Sequence, residues 1–459
     1  MHIILREGLH DEAFIRARTE QFEALQQTVA KYTPALTAKI TGVPEDLIER
    51  VALAYGRADR AMIFWGMGIS QHTTGTDNAR CLISLCLLTG NIGRRGTGLH
   101  PLRGQNNVQG ASDVGLIPMV YTGYQPVGDA GVREKFEVAW GVPLDPRPGL
   151  TVVEIMNGAL KGQIRGMLMM GENPFLSDPN MNKVRKALQS LAFLAVQDIF
   201  LTETAEFADV ILPASTGAEK TGTYVNTNRM VQLGRQAVPP PGQARIDGEI
   251  LIDLANRMIA LEAGAGQRAA GTPWTYRTPE EVWKEIVELT PIFEGITYEA
   301  MERRTVLWPK DQQVIFTETF PRGKGKFTPA EFAPPDELPD AAYPFVLNTG
   351  RLLQHWHTGT MTRRAKALDA IAPEPFVEIA PEDLDRLGVG DGDWVTVASR
   401  RGRITLRTRA SKKVSAGSIF IPFHFKEAAA NLLTNDALDP YGKIPEFKFC
   451  AVKVEKAGI

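Results

Sequence analysis

The sequence predicts an α/β protein over its first two thirds and a mainly β barrel at its C-terminal end. Apolar runs at 61–65, 165–170, 191–196 and 208–212 each stop at glycine, proline or polar residues, and two of them are followed by a helical pattern. From residue 345 onward that rhythm gives way to short alternating strands divided by glycine turns. Hydrophobic residues at 44% and charged ones at 23% are those of an ordinary globular chain, so disorder is excluded as a global description.

In chain order, Phe14, Ala17, Phe22, Leu25 and Val29 fall at helical spacing and predict one helix from Asp11 to Lys31. Gly42, Val43 and Pro44 break it off, and Pro44 suits the first turn of a second helix ending near Arg57. A strand at Ala61–Trp65, the turn Gly66-Met67-Gly68 and an apolar helix from Thr76 to Leu88 make half of a βαβ unit, whose loop and helix N-terminus suit phosphate. Cys81 and Cys86, five residues apart in that helix, do not share a face and read as core packing, as does Cys450. The strands at Arg165–Met170, Leu191–Val196 and Ala208–Leu212, with a helix at 180–190, predict a parallel Rossmann-like sheet carrying ligand groups at its carboxyl edge. Pro321 to Pro344 lacks periodicity and is the best linker. Strands then follow at Phe345–Asn348, Trp394–Ser399, Arg403–Arg409 and Ser418–Pro422. The expected domains are 1–105, 106–217, 218–335 and 336–459. The first reads as an α/β domain entered part-way, because a helix precedes its first convincing strand.

With 459 residues, several cores are expected. Lys plus Arg number 51 against 53 acidic residues, which gives nucleic acid and anionic membranes no general attraction. Three cysteines without a C-x-x-C predict no disulfide framework and a reduced, cytoplasmic setting. No apolar run reaches the length of a membrane span.

The most informative stretch is Pro101-Leu102-Arg103-Gly104-Gln105-Asn106-Asn107-Val108-Gln109-Gly110. A loop arginine is ordinarily a solvated charge. Here the neighbouring amides of Gln105, Asn106, Asn107 and Gln109 are expensive to bury unless something polar needs them, and a guanidinium holds a small carboxylate by a two-pronged hydrogen bond that lysine lacks.

This loop, with Gly90-Asn91-Ile92-Gly93, Ala111-Ser112-Asp113-Val114-Gly115, Gln197-Asp198-Ile199-Phe200 and Ala208-Asp209-Val210-Ile211-Leu212-Pro213, closely resembles the catalytic subunit of molybdenum or tungsten formate dehydrogenases. The likeness covers essentially the whole chain and places it in the dimethyl-sulfoxide-reductase superfamily. It implies a C-terminal barrel of double-psi type and a Mo or W centre held by two molybdopterin guanine dinucleotides. Arg103 and Gln105 are implied as catalytic. Cofactor contacts are implied for Met67 and Gln71 and for Gly171, Glu172 and Asn173, where several relatives have Asp in place of Asn173. The same role is implied for Gln197 and Asp198; for Thr349, Gly350, Arg351, His355 and Thr358; and for Phe423, His424, Asn431 and Lys448. His2, His10, His72, His100 and His357 are not carried by a motif.

Three parts of the family pattern have no counterpart here: the cysteines of a [4Fe–4S] cluster, a lysine between cluster and pterin, and the Cys or selenocysteine that ligates the metal. No residue of this chain is therefore assigned to the metal. The resemblance implies the C-terminal half of a formate dehydrogenase, completed by an N-terminal half or a split partner chain and served by iron–sulfur or diaphorase-type subunits. The rival readings are a non-catalytic scaffold or electron-transfer subunit of the same fold, another molybdenum oxidoreductase such as a nitrate reductase, and a gene fragment.

Overall fold

The strand Met62–Trp65 (β1) pairs in parallel with Gly98–Pro101 (β2), and the helix Gly75–Leu88 lies between them in sequence. This is the βαβ unit the glycine turn predicts, identified in a computed structural model that describes residues 1–264 and 272–458. Residues 265–271, inside the expected domain 218–335, and residue 459 lie outside the described residues. The chain divides into two units: Met1–Gly104 with Gln312–Asp336 and Ala437–Glu446, and Gln105–Asp311 with Glu337–Asp436 and Phe447–Ile459.

In the first unit the expected helix from Asp11 to Lys31 is two helices, Glu12–Arg18 and Phe22–Ala30. Between them Thr19 and Glu20 leave the helical path to pair in parallel with Gly325 and Lys326, and Gln21 adopts φ 65° to turn the chain. Sheet pairing overrides a helical periodicity here. The apolar spacing still does its work, since Ile15, Leu25 and Val29 share one core with Ile4, Leu87, Leu88 and Phe327. The supposed linker is thus anchored, with Phe327 fully buried.

In the second unit Gly166–Met170 (β3), Phe193–Asp198 (β4) and Val210–Pro213 (β5) form the predicted parallel sheet in that order. Helices Val152–Leu160 and Met181–Gln189 cover one face, where Met156, Ala159, Val184, Ala187 and Leu188 meet Met169, Leu194 and Val196. A three-stranded antiparallel sheet, Gly222–Val225, Met230–Gly234 and Val306–Leu307, was not apparent in the sequence. Its strands are short and its core is completed by Trp283 and Phe293 from a distant stretch.

The barrel closes from six strands: Phe345–Gly350 (β6), Phe376–Ile379 (β7), Trp394–Ala398 (β8), Arg403–Ala410 (β9), Ser418–Pro422 (β10) and Cys450–Lys456 (β11). Their order is β6-β10-β7-β9-β8-β11. β9 alternates as the rule demands, burying Ile404, Leu406 and Thr408 while Arg403, Thr405 and Arg407 face water. Four of the six strands were predicted; β7, only four residues long, and β11 were not. The α/β-plus-barrel fold is as expected, and Cys86 and Cys450 are buried thiols that form no disulfide among the described residues.

Candidate functional site

In the first unit, parallel pairing of Trp65 with Pro101 brings the chain out at one carboxyl edge twice, into Gly66–Gln71 and into Leu102–Gly104. Leu102 N–H donates to the Trp65 carbonyl at 2.7 Å, fixing where Arg103 leaves the sheet. Arg103, Met67 and Gln71 are all half-buried at this edge. Met67–Ser70 forms a single helical turn, closed by Gln71 N–H on the Met67 carbonyl at 2.9 Å. Asn78 Nδ2 donates to Ile69 O at 2.9 Å, and His72 Nε2 lies 3.0 Å from Gly68 O. Two carboxylates from 437–446 hold the same loop: Glu446 accepts from Thr73 N and Oγ1, and Asp439 from Thr76 N and Oγ1.

Gln105 and Asn106, in the second unit, are exposed, so the reasoning that all four amides of the loop are buried fails for these two. The other two are committed to protein. Asn107, at φ 59°, accepts from Val225 N–H at 2.9 Å, and Gln109 Nε2 donates to Asp113 at 2.6 Å. Asp113, fully buried, also accepts from Tyr124 Oη at 2.7 Å and Trp308 Nε1 at 2.8 Å. This network fixes the stretch that follows Gln105.

The carboxyl edge of β3-β4-β5 collects acids. Gly171 turns at φ 63° with open space where a Cβ would stand, and its N–H donates to the Gln197 carbonyl at 2.8 Å. Glu172 is exposed; protein crowding and then the Asp198 charge raise its carboxyl. Asp198 is raised by burial, against two backbone N–H donors. Asp178, which the sequence reading passed over, is buried and pushed up to about 7, by burial first and by Glu172 after it. Its Oδ2 and the Oε1 of buried Gln197 have no hydrogen-bond partner among the described residues. Gln197 Nε2 donates to Asp247, itself paired with Lys220. Asn173 is occupied: its amide donates to Glu203 and Thr360, and its carbonyl oxygen accepts from Thr204.

At the mouth of the barrel Arg351, Lys448, His357 and His424 gather. Arg351 lies 5.1 Å from the Trp356 ring and 5.9 Å from Phe423, and its buried Nε has no hydrogen-bond partner among the described residues. Lys448 donates to the Thr349 carbonyl; burial and then the Arg351 charge lower its ammonium to about 8. Thr349 Oγ1 donates to Phe447 O at 2.9 Å. His424 accepts from Leu352 N–H at Nε2, at 2.7 Å, so its proton sits on Nδ1 and points at the His357 carbonyl. Burial holds both imidazoles near 4, with Arg351 adding to the effect. No carboxylate pairs with Arg351 or Lys448 among the described residues, so the cluster is a ready anion site. His357 belongs to it, although no motif singled it out. Two histidines flanking an aromatic, as in His355-Trp356-His357, were the available signal.

The remaining candidates hold the walls. His355 Nε2 donates to Ala372 O at 2.7 Å while Nδ1 lies 3.3 Å from the Thr362 hydroxyl, which accepts from Trp356 N–H. Thr358 pairs with Thr360, the half-buried Phe423 ring stands edge-on to His357, and Gly350 admits the Phe420 ring where a Cβ would overlap it. Asn431 Nδ2 donates to Leu176 O and Ser177 O at 2.8 and 3.1 Å, tying the barrel segment to the turn that carries Asp178. Acids suited to a base's N–H groups on one edge, and unpaired cations suited to phosphate at the barrel, together fit a large phosphate-bearing dinucleotide.

Residues 1–257 match the family model for molybdopterin oxidoreductases, and 345–451 match the molydopterin dinucleotide binding domain. The chain is 46% identical to the F420-dependent formate dehydrogenase subunit alpha of Methanocaldococcus jannaschii, over 99% of this chain and 67% of that one. It is 40% identical to formate dehydrogenase H of Escherichia coli, over 99% of this chain and 64% of that one. Acetylene hydratase from Pelobacter acetylenicus superposes with a TM-score of 0.75 at 19% identity, covering 99% of this chain and 69% of that one, a likeness of fold alone. The chain thus spans about two thirds of the length of these formate dehydrogenase relatives. It belongs to the molybdopterin oxidoreductase family and carries that family's dinucleotide-binding barrel.

Proposed function

We propose that this chain supplies the substrate-holding arginine and much of the cofactor cradle of a formate dehydrogenase alpha subunit. The overall change is HCOO⁻ to CO₂, one proton and two electrons. The reading rests above all on Arg103, half-buried at the carboxyl edge of β1-β2, in a chain 46% identical to a formate dehydrogenase alpha subunit. A guanidinium there fixes a one-carbon carboxylate in both place and orientation, leaving its C–H bond free. The bound molybdenum or tungsten dinucleotide centre supplies the two-electron redox couple. Arg351 and Lys448 would meet its phosphates. Glu172, Asp178, Asp198 and the free Oε1 of Gln197 would face its base. Gln105 stays a candidate for contact with substrate, and Met67 and Gln71 for the cofactor loop. The metal's protein ligand, the iron–sulfur cluster and the electron-accepting subunits would come from polypeptide beyond these residues.

A charge-assisted hydrogen bond contributes about 1.5 to 3 kcal/mol, so Arg103→Ala should slow formate turnover about ten- to a hundred-fold or more. Cofactor content of the assembled enzyme should stay unchanged. Normal turnover in that variant would overturn the assignment.

A further inference from the structure

The turn Thr362–Arg364 stands just beyond the barrel-mouth loop that carries His357 and Thr358. From it the exposed Arg364 reaches across to the segment that follows β4. One terminal nitrogen donates to the Leu201 carbonyl at 3.1 Å and the other to the Thr360 carbonyl, while the guanidinium carbon lies 4.7 Å from the centre of the Phe200 ring. An exposed arginine is ordinarily solvated. This one is committed to two backbones and a ring, a combination that needs a planar fork. Phe200 in turn has a task of its own, since its N–H donates to Asp198 Oδ1 at 3.1 Å. Burial raises the Asp198 carboxyl, and the N–H groups of Phe200 and Ile199 and then the Arg364 charge oppose that rise. A second tie joins the barrel to the same segment, Lys426 Nζ to Glu203 at 3.1 Å, but neither of its members bonds Asp198 or Phe200 among the described residues.

We propose that Arg364 is a positioning residue for Asp198, clamping Phe200 and Leu201 so that the carboxylate meets the paired N–H donors of a guanine base. The inference deepens the proposed function and rests on the reading that Asp198 faces the base of the dinucleotide; it does not depend on formate being the substrate. Guanine offers N1–H and a 2-amino group side by side, which a carboxylate accepts as a pair, whereas adenine has no such pair. Choice between the two bases therefore depends on how the carboxyl plane is turned. That orientation is set by the backbone donor on Oδ1, and the donor is held in place by the stacked guanidinium.

The test measures binding of GDP, ADP and inorganic pyrophosphate to the full chain by calorimetry, a readout that needs neither metal nor turnover. The unaltered chain should prefer GDP to ADP, and Asp198→Asn should abolish that preference. Arg364→Ala should lower the preference about tenfold through weaker GDP binding, with ADP and pyrophosphate bound as before. Arg364→Lys keeps the charge without the fork and should not restore it. Lys426→Met, which breaks the neighbouring tie, should leave the preference unchanged. No preference in the unaltered chain, or one that survives Asp198→Asn, would overturn the reading of the base site and this inference with it. A preference that depends on Asp198 yet survives Arg364→Ala would overturn this inference alone. So would full restoration by lysine, an equal loss in Lys426→Met, or a loss of all three probes together, since these would assign the effect to charge or to general fastening of the barrel.

Discussion

Asp439 accepts both the backbone N–H and the hydroxyl of Thr76, at 3.0 and 2.7 Å. The N–H groups of Tyr441 and Gly442 also point at Oδ1. A carboxylate so placed caps a helix whose own N-cap, Thr74, makes no side-chain bond. Burial alone would raise the carboxyl, but these donors outweigh it and hold it below the ordinary value. Asp439→Ala should therefore cost about 1 to 2 kcal/mol of stability. A group depressed in the fold stabilises above its unfolded value and loses that effect in acid. Urea unfolding at pH 7 and pH 3 should accordingly show the variant's deficit shrinking at the lower pH.

His424 offers the opposite test. Its ring stays neutral in the fold down to about 4, whereas the unfolded ring protonates near the ordinary imidazole value of 6.5. The unfolded state therefore binds more protons in that window, and stability rises with pH from about 4 to 6.5. The buried ring contributes at most about 3 kcal/mol of that slope. His424→Gln should flatten the profile of unfolding free energy against pH, and an unchanged slope would assign it to other groups.

Asp178 is raised rather than depressed, to about 7, and carries an oxygen with no hydrogen-bond partner among the described residues. The fold holds its proton where the unfolded chain has lost it, so stability falls as pH climbs from near 4 to 7. Asp178→Asn should stabilise the isolated chain at pH 8, by about 2 kcal/mol, and do little at pH 4. Melting curves at the two pH values decide it. A constant offset would mean the gain has no electrostatic origin.

Gly110 has no room for a methyl group. A Cβ there would overlap Asn107 Oδ1 and press on Val225 Cγ2 at 3.3 Å. Gly110→Ala should break the bond between Asn107 and Val225 N–H and destabilise by about 1 to 3 kcal/mol. Amide exchange at Val225 should quicken. Slow exchange there would show that the loop can yield.

The parts of the site that the sequence announces are those written in contiguous residues. Trp65-Gly66-Met67 and Met170-Gly171-Glu172 each end an apolar run with a glycine, and the chain turns at the carboxyl edge of a parallel strand at both places. Arg103 is legible for the same reason. Asp178, Asp247 and His357 are not, because their meaning comes from neighbours far along the chain. Asp247 matters through Gln197 and Lys220, and His357 through Arg351 and His424. The amides of the Arg103 loop show the converse error. Residue type implied a uniform polar cluster, but the fold exposes Gln105 and Asn106 and spends Asn107 and Gln109 on structure.

The stretch 437–446 gives its two carboxylates to the first unit, and only afterwards does the chain run into β11 to close the barrel. During synthesis, then, the loop after β1 waits for its caps until more than four hundred residues have been made. Native pairing of such distant residues is slow to find. The order of events at the ribosome therefore leaves the βαβ unit of β1 and β2 to mature late, and a premature stop after β10 would deprive both units at once.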